Sequence, residues 1–214
     1  MTEGTGAKHW PRRQVVALAV GLPLLAAGCS SVVGQPPRRF RLTSPTGFPA
    51  DLQTVEWALE VDQTVADPGI DTTFIARLAA NGLELEYYAD AEWPSKTGDM
   101  INTLLVQSFV DSGKVPRVGD RNSGLRPDFS LKTVLRDFQA DGAAIPAIKA
   151  TMTASMIHLP RRVQVGTERF QRVVPAASGS IEDIVRGFDK ALDGVLRDIV
   201  AWTIATGARS HAAG

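Results

Sequence analysis

The sequence predicts an α/β protein of the α+β kind. It should hold a mixed, mainly antiparallel β-sheet with two amphipathic helices packed on one face, the second helix long and C-terminal. Three observations lead there. Several stretches alternate apolar and polar residues, the period of half-buried strands. Over 95–112 the period changes to helical spacing. From Ser180 to Ile204 a wide apolar stripe recurs at helical intervals.

The elements follow in chain order. In TVEWALEVDQ, residues 54–63, Val55, Trp57, Leu59 and Val61 alternate with Glu56, Ala58, Glu60 and Asp62, which reads as a strand. Asp67-Pro68-Gly69 is a turn signal. DTTFIARLAANG is ambiguous between a strand and a helical turn. In LELEYYAD, residues 83–90, Leu83, Leu85 and Tyr87 alternate with Glu84, Glu86 and Tyr88, a second strand. Ile101, Leu104, Leu105, Ser108 and Phe109 then fall on one helical face, with Ser95 as cap and Ser112-Gly113 as stop. KVPRVG reads as a short strand, so strand, helix and strand suggest a βαβ-like unit. DFSLKTVLRDFQ, AIKATMTASMIHL and RRVQVGTERFQRVV follow as an antiparallel meander with turns near 140–145 and 159–161. Met152 and Met156 alternate along the second of these strands and belong to the core. The final helix starts at a capping box, Ser180 to Asp183. Its stripe includes Ile181, Ile184, Val185, Phe188, Leu192, Val195, Leu196, Ile199 and Val200.

Composition narrows the function. The chain has 214 residues, with 23 Lys and Arg against 23 Asp and Glu. That balance offers no global field for nucleic acid or an acidic substrate. No segment reaches the roughly 20 uninterrupted apolar residues of a spanning helix, which excludes a polytopic transporter. There is no G-x-S-x-G elbow, Walker loop or H-E-x-x-H, and no clustered set of metal ligands. His158 and His211 are the only histidines after residue 28. Asp90 and Glu92, near Tyr87, Tyr88 and Trp93, form the one acid–aromatic cluster, without a recognisable substrate pocket. The reading is of a non-enzyme with no metal and no diffusible cofactor.

The N-terminus is a separate matter. Lys8, His9, Arg12 and Arg13 precede the apolar run VVALAVGLPLLAA at 15–27, and small residues lead to Gly28-Cys29. This has the outline of an export signal. The lone cysteine is open to three readings: a reactive thiol, a buried apolar filler or a lipid attachment point. Its surroundings resemble the lipobox of bacterial lipoproteins, although Ala26 stands where Leu is commonest. The resemblance implies a thioether-linked diacylglycerol and an N-acyl chain on Cys29. Acyl chains hold a protein to a bilayer at about 0.8 kcal/mol per buried methylene. Ser30 in the next position implies sorting to the outer membrane. The chain then divides into a signal peptide at 1–28, a lipidated tether at 29–37, one domain at 38–206 and a flexible tail at 207–214.

The domain itself resembles the ABC-type transport auxiliary lipoproteins, the PqiC-like group associated with Mce-type lipid transport systems. The resemblance is carried in order by Gly69-Ile70-Asp71, Tyr87-Tyr88-Ala89, Trp93, the helix ending Ser112-Gly113, DFSLKTVLRDFQA, and a final helix with Phe188, Ala191 and Trp202. It implies a non-catalytic accessory component on the periplasmic face of the outer membrane, working with an Mce-domain protein, a permease and an ATPase. A homo-oligomer is compatible with it, and it carries over no site residues. A lipid carrier that itself holds an apolar ligand is the alternative. Exposed aromatics often anchor interfaces, so Tyr87, Tyr88 and Trp93 are the candidate partner contacts. The competing reading packs Tyr87 and Trp93 between sheet and helix.

Overall fold

The computed structural model describes residues 36–212. Its spine is β7 (Phe129–Ala140), whose two edges are used differently. One edge pairs antiparallel along its whole length with β8 (Ala147–His158), and β8 pairs antiparallel with β9 (Val163–Pro175). This is the expected meander. The other edge of β7 carries three short strands in series, all parallel to it: β2 (Ala58–Val61), β3 (Val65–Ala66) and β4 (Phe74–Leu78). Beyond β2 lies β6 (Arg117–Asp120), in parallel. Beyond β4 lies β5 (Leu85–Glu92), antiparallel, and beyond that β1 (Arg38–Arg39), in parallel.

Helix α1 (Thr97–Ser112) joins β5 to β6, yet these two strands are not neighbours. The expected βαβ-like unit does not form: β5 is antiparallel to β4, whereas β4, β7, β2 and β6 all run parallel, so the strands on either side of α1 point in opposite directions. The edge of β5 is occupied by β1, and β6 finds its parallel partner on the free side of β2. The ambiguous segment at 71–82 yields β4, because Ile75 and Ala76 are buried there and the strand can pair with both β5 and β7.

The long helix α2 (Ile181–Ala212) lies across β8 and β9. Register sets the face it covers. Leu131, Thr133 and Leu135 of β7 stand opposite Met156, Ala154 and Met152 of β8, so these six share one side of the sheet. Both methionines are fully buried, as the alternation implied. The α2 stripe from Ile184 to Ile204 closes over them. At its centre Phe188 meets Phe138 at 4.8 Å and Trp93 at 5.4 Å between ring centroids. Edge-to-face aromatic pairs of this kind add about 0.5–1.5 kcal/mol beyond their burial.

Helix α1 lies on the same side. Thr133 on the α2 face is hydrogen-bonded through its hydroxyl to that of Thr64 at 2.8 Å, and Asn102 of α1 accepts from the Thr64 backbone N–H at 3.1 Å. The two helices also touch each other. The expected α+β architecture, two helices on one face, is the one the structure has.

Local chemistry departs from expectation at four places. Lys96, not Ser95, is the N-cap of α1, and it gives no side-chain cap. Instead Asp71 reaches in from the loop between β3 and β4 and accepts the Gly98 N–H at 3.1 Å. Gly113 ends the helix in the left-handed region at φ 62°, as expected of a glycine stop. The capping box of α2 holds in half: Ser180 Oγ accepts the Asp183 N–H at 3.3 Å, while the Asp183 carboxylate receives the Ser178 hydroxyl at 2.6 Å. Leu83 does not join a strand. Asn81-Gly82 makes a turn in which Asn81 Oδ1 accepts the Leu83 and Glu84 N–H groups, and Leu83 is left 86% exposed.

The fourth departure is the tail. The segment from residue 207, expected to be flexible, continues as helix to Ala212. Gly207 is buried against Trp57 and Met156, and Arg161 donates to the Ser210 carbonyl at 2.9 Å and to its hydroxyl at 2.8 Å. A cation on the last carbonyls of a helix satisfies orphan acceptors and complements the negative end of its dipole.

Candidate functional site

Cys29, the expected lipidation site, lies outside the described residues. The three aromatic candidates do lie within them, and they separate. Trp93 is 1% exposed and packs between Phe138 and Phe188. It is a core residue with no surface to offer a partner. Its position one residue beyond β5 turns the chain inward, and its backbone N–H donates to the Thr73 carbonyl at 2.7 Å.

Tyr87 and Tyr88 are consecutive on β5 and point to opposite sides, as strand neighbours must. Tyr88 leans on the core, and the Arg77 guanidinium sits 5.6 Å from its ring centroid. Burial raises the Tyr88 phenol pKa above its ordinary value, against an opposing pull from Arg77. Arg77 also forms two hydrogen bonds with Glu86, at 2.9 and 2.6 Å, and that partner raises its own pKa.

Tyr87 is the exposed member. Its hydroxyl donates to the Gly69 carbonyl at 2.8 Å, which pins the ring over the 67–70 turn. Phe74 of β4 lies beside it, 5.7 Å between centroids. Phe74 remains 47% exposed and Tyr87 43%. Together with Pro37 and Asp90 they border a shallow depression of about 250 Å³. Asp90 there has φ 55°, uncommon for a non-glycine residue. The irregularity changes the facing of the strand between Tyr88 and Ala91, so that Ala91 turns into the core.

Sequence reasoning missed Phe74 and Pro37. Phe74 sits in the segment whose period was ambiguous, and Pro37 was read only as tether. The signal that exists is the pairing of Phe74 with Glu92 across the β4–β5 ladder, which no local pattern reveals.

The rest of the surface has little of the chemistry a catalytic site needs. Among the described residues no group of three His, Cys, Asp or Glu side chains is placed to hold a metal. His158 sits at the end of β8, edge-on to Phe129 at 4.9 Å, and its Nδ1 accepts the Arg161 backbone N–H at 3.2 Å. Partial desolvation and the nearby Arg161 charge hold its pKa below the ordinary histidine value. Among the described residues its side-chain hydrogen-bond partner is Arg161, not a serine or a carboxylate. A second depression, of about 490 Å³, lies between β3 and the helix-free face of the meander, where Val65, Val134, Arg136, Lys149 and Arg169 meet. Lys149 is engaged there by Asp137 at 3.1 Å. Burial raises the Asp137 pKa, but hydrogen bonds from Thr151, Lys149 and Gln139 outweigh this and lower it overall. No helix among the described residues is long and apolar enough to cross a membrane.

The family of ABC-type transport auxiliary lipoprotein components matches residues 40–200. The chain belongs to that family. Among solved structures, the crystal structure of protein XCC0632 from Xanthomonas campestris is similar over 81% of this chain and 98% of its own, with 27% identity and a TM-score of 0.76. A second crystal structure, of an uncharacterized protein, covers 82% of this chain and 99% of its own at 14% identity and a TM-score of 0.54. The latter shares the fold alone. No curated protein matched. Auxiliary lipoproteins of this family are components of ABC-type transport.

Proposed function

We propose that this protein is a non-catalytic accessory subunit of an ABC/Mce-type lipid transport system, anchored by acyl chains on Cys29 to the periplasmic face of the outer membrane. The observation that carries the reading is the family match across residues 40–200. The sequence before it, with its basic flank, apolar run and small residues leading to Cys29, supplies the outline of an export and lipidation signal. The partners would be an Mce-domain protein, the permease and the ATPase.

The packing favours an accessory over a carrier. A protein that encloses a lipid needs an apolar cavity of about 300–1,000 Å³ that surrounds most of the ligand. Between sheet and helices, Leu131, Met152, Met156, Phe138, Phe188, Leu192 and Leu196 are each 0–1% exposed and fill the space. The depressions described above lie outside that core.

Purification of the tagged full-length protein from membranes in mild detergent, after brief in-cell cross-linking, tests the reading. It should bring down the permease, the ATPase and an Mce-domain protein together. Recovery of the protein alone under conditions that keep other lipoprotein complexes intact contradicts it.

A further inference from the structure

We infer that the exposed Phe74–Tyr87 edge is a membrane-seating surface, which rests against the bilayer beside the point where the tether leaves the domain. The inference rests on the reading of Cys29 as the lipid anchor and adds which face of the domain meets the membrane.

The first argument is one of reach. Pro37 lies eight Cα-to-Cα steps along the chain from Cys29. At most about 3.6 Å per residue, they span no more than ~29 Å even when fully stretched. A domain of this length has a radius of gyration of about 16 Å and is therefore roughly 40 Å across. A tether shorter than the domain is wide cannot let the domain turn its far side to the bilayer. The side that bears Pro37 stays within that reach of it.

The second argument is what that side presents. Pro37 borders the same depression as Phe74 and Tyr87, and β1 follows at once, paired with Ala91 and Glu92 of β5. Phe74 and Tyr87 are two large side chains, each about half exposed and in contact with one another. Tyr87 has the amphipathic character that places tyrosine at membrane–water interfaces. Its hydroxyl is already satisfied by Gly69, so seating the ring leaves no donor without a partner. A water-exposed aromatic pair beside the point where the tether enters the domain is thereby accounted for.

The charges around it show what kind of surface it fits. Arg38 is paired with Glu182 at 2.6 Å and Arg39 with Glu92 at 3.9 Å, and Asp90 adds a negative charge at the rim. The rim is close to neutral. Attraction is therefore apolar and interfacial, and it does not need anionic lipid or low salt, unlike the docking of a polybasic patch.

The chain has no cysteine besides Cys29, so one added thiol can be labelled selectively once Cys29 is acylated. The experiment uses the full-length lipidated protein in vesicles of phosphatidylethanolamine and phosphatidylglycerol, and separately in neutral phosphatidylcholine vesicles. An environment-sensitive fluorophore is placed at Ala89→Cys, exposed and two residues from Tyr87, or at Gln164→Cys on β9. Lipids carrying a quencher near the headgroup report contact, and intact mass reports acylation. The expected result is quenching at position 89 in both vesicle types, unchanged in high salt, with little at position 164. Adding Phe74→Ser and Tyr87→Ser should lower the fraction of seated domains about tenfold, since two half-exposed aromatics then contribute nothing at the interface. No quenching at 89 in a protein whose Cys29 is shown to be acylated overturns the seating surface but not the anchor. Shielding of position 89 only on addition of purified partner proteins also overturns it, in favour of a protein contact. An unacylated Cys29 overturns the anchor itself.

Discussion

Helix α2 contains two glycines at which the same substitution should have opposite effects. Gly194→Ala and Gly207→Ala each gain about 1 kcal/mol of intrinsic helix propensity. At Gly194 the three atoms nearest the new methyl all belong to the Arg172 side chain, Nε, Cγ and Cδ at 3.0–3.3 Å. That side chain is 46% exposed, and a shift of a few tenths of an ångström makes room for the methyl without breaking its ion pair with Asp198. At Gly207 the methyl runs into Trp57 Cζ2 and comes within 2.8 Å of both Trp57 Cε2 and Met156 Cε. Met156 can adjust, but Trp57 cannot. It is 3% exposed and set edge-on against Phe129 at 5.0 Å. Overpacking of this kind costs about 1–3 kcal/mol, and the closeness of the approach places it toward the upper end. The net expectation is stabilisation by about 0.5–1 kcal/mol at Gly194 and destabilisation by about 1–2 kcal/mol at Gly207. Urea unfolding followed by tryptophan fluorescence measures both, provided the two slopes agree. If Gly207→Ala is as stabilising as Gly194→Ala, the end of α2 is not packed on Trp57 and the account of residues 207–212 is wrong.

Other expectations follow from the same structure. Phe188→Ala removes the ring that joins Trp93 and Phe138 and should destabilise by about 3–5 kcal/mol in the same assay; a loss under 1 kcal/mol would disprove its central place. Thr64→Val leaves the buried Thr133 hydroxyl without its 2.8 Å partner and should cost about 1–3 kcal/mol. Thr64→Val with Thr133→Val should recover part of that loss in a double-mutant cycle. His158 has a lowered pKa in the folded protein, so below the ordinary histidine value the unfolded chain binds the proton more readily. Stability should fall as pH drops from that value toward the folded one and be level above it. His158→Gln should flatten this part of the urea-midpoint profile; an unchanged slope refutes the assignment.

The parts of the fold legible in sequence were those whose period was set by a large, continuous burial surface. β7 and β8 alternate over most of their length because one face lies under the helices, and the α2 stripe is wide because it spans β8 and β9. The short strands on the other edge of β7 were harder. β3 and β4 are held by neighbours distant in sequence, and two to five residues carry too little period to distinguish strand from turn. The end of α2 was misread for a related reason. Gly207 signals a stop by propensity, but the indole of Trp57 needs a residue without a side chain there. At the surface, the Tyr-Tyr pair was visible, but the alternation groups Tyr87 with Leu83 and Leu85 on the apolar side, whereas Tyr87 is the exposed ring and Tyr88 the one that packs on the core. The sequence also could not separate Trp93 from them, because its burial depends on Phe138 and Phe188, far along the chain.

Metabolic labelling with palmitate, followed by density fractionation of the membranes, tests the anchor on which both the accessory role and the seating surface depend. The account predicts label on the wild-type protein in the outer-membrane fraction, and neither label nor membrane association for Cys29→Ser. A wild-type protein that is unlabelled and recovered in the soluble fraction would contradict it.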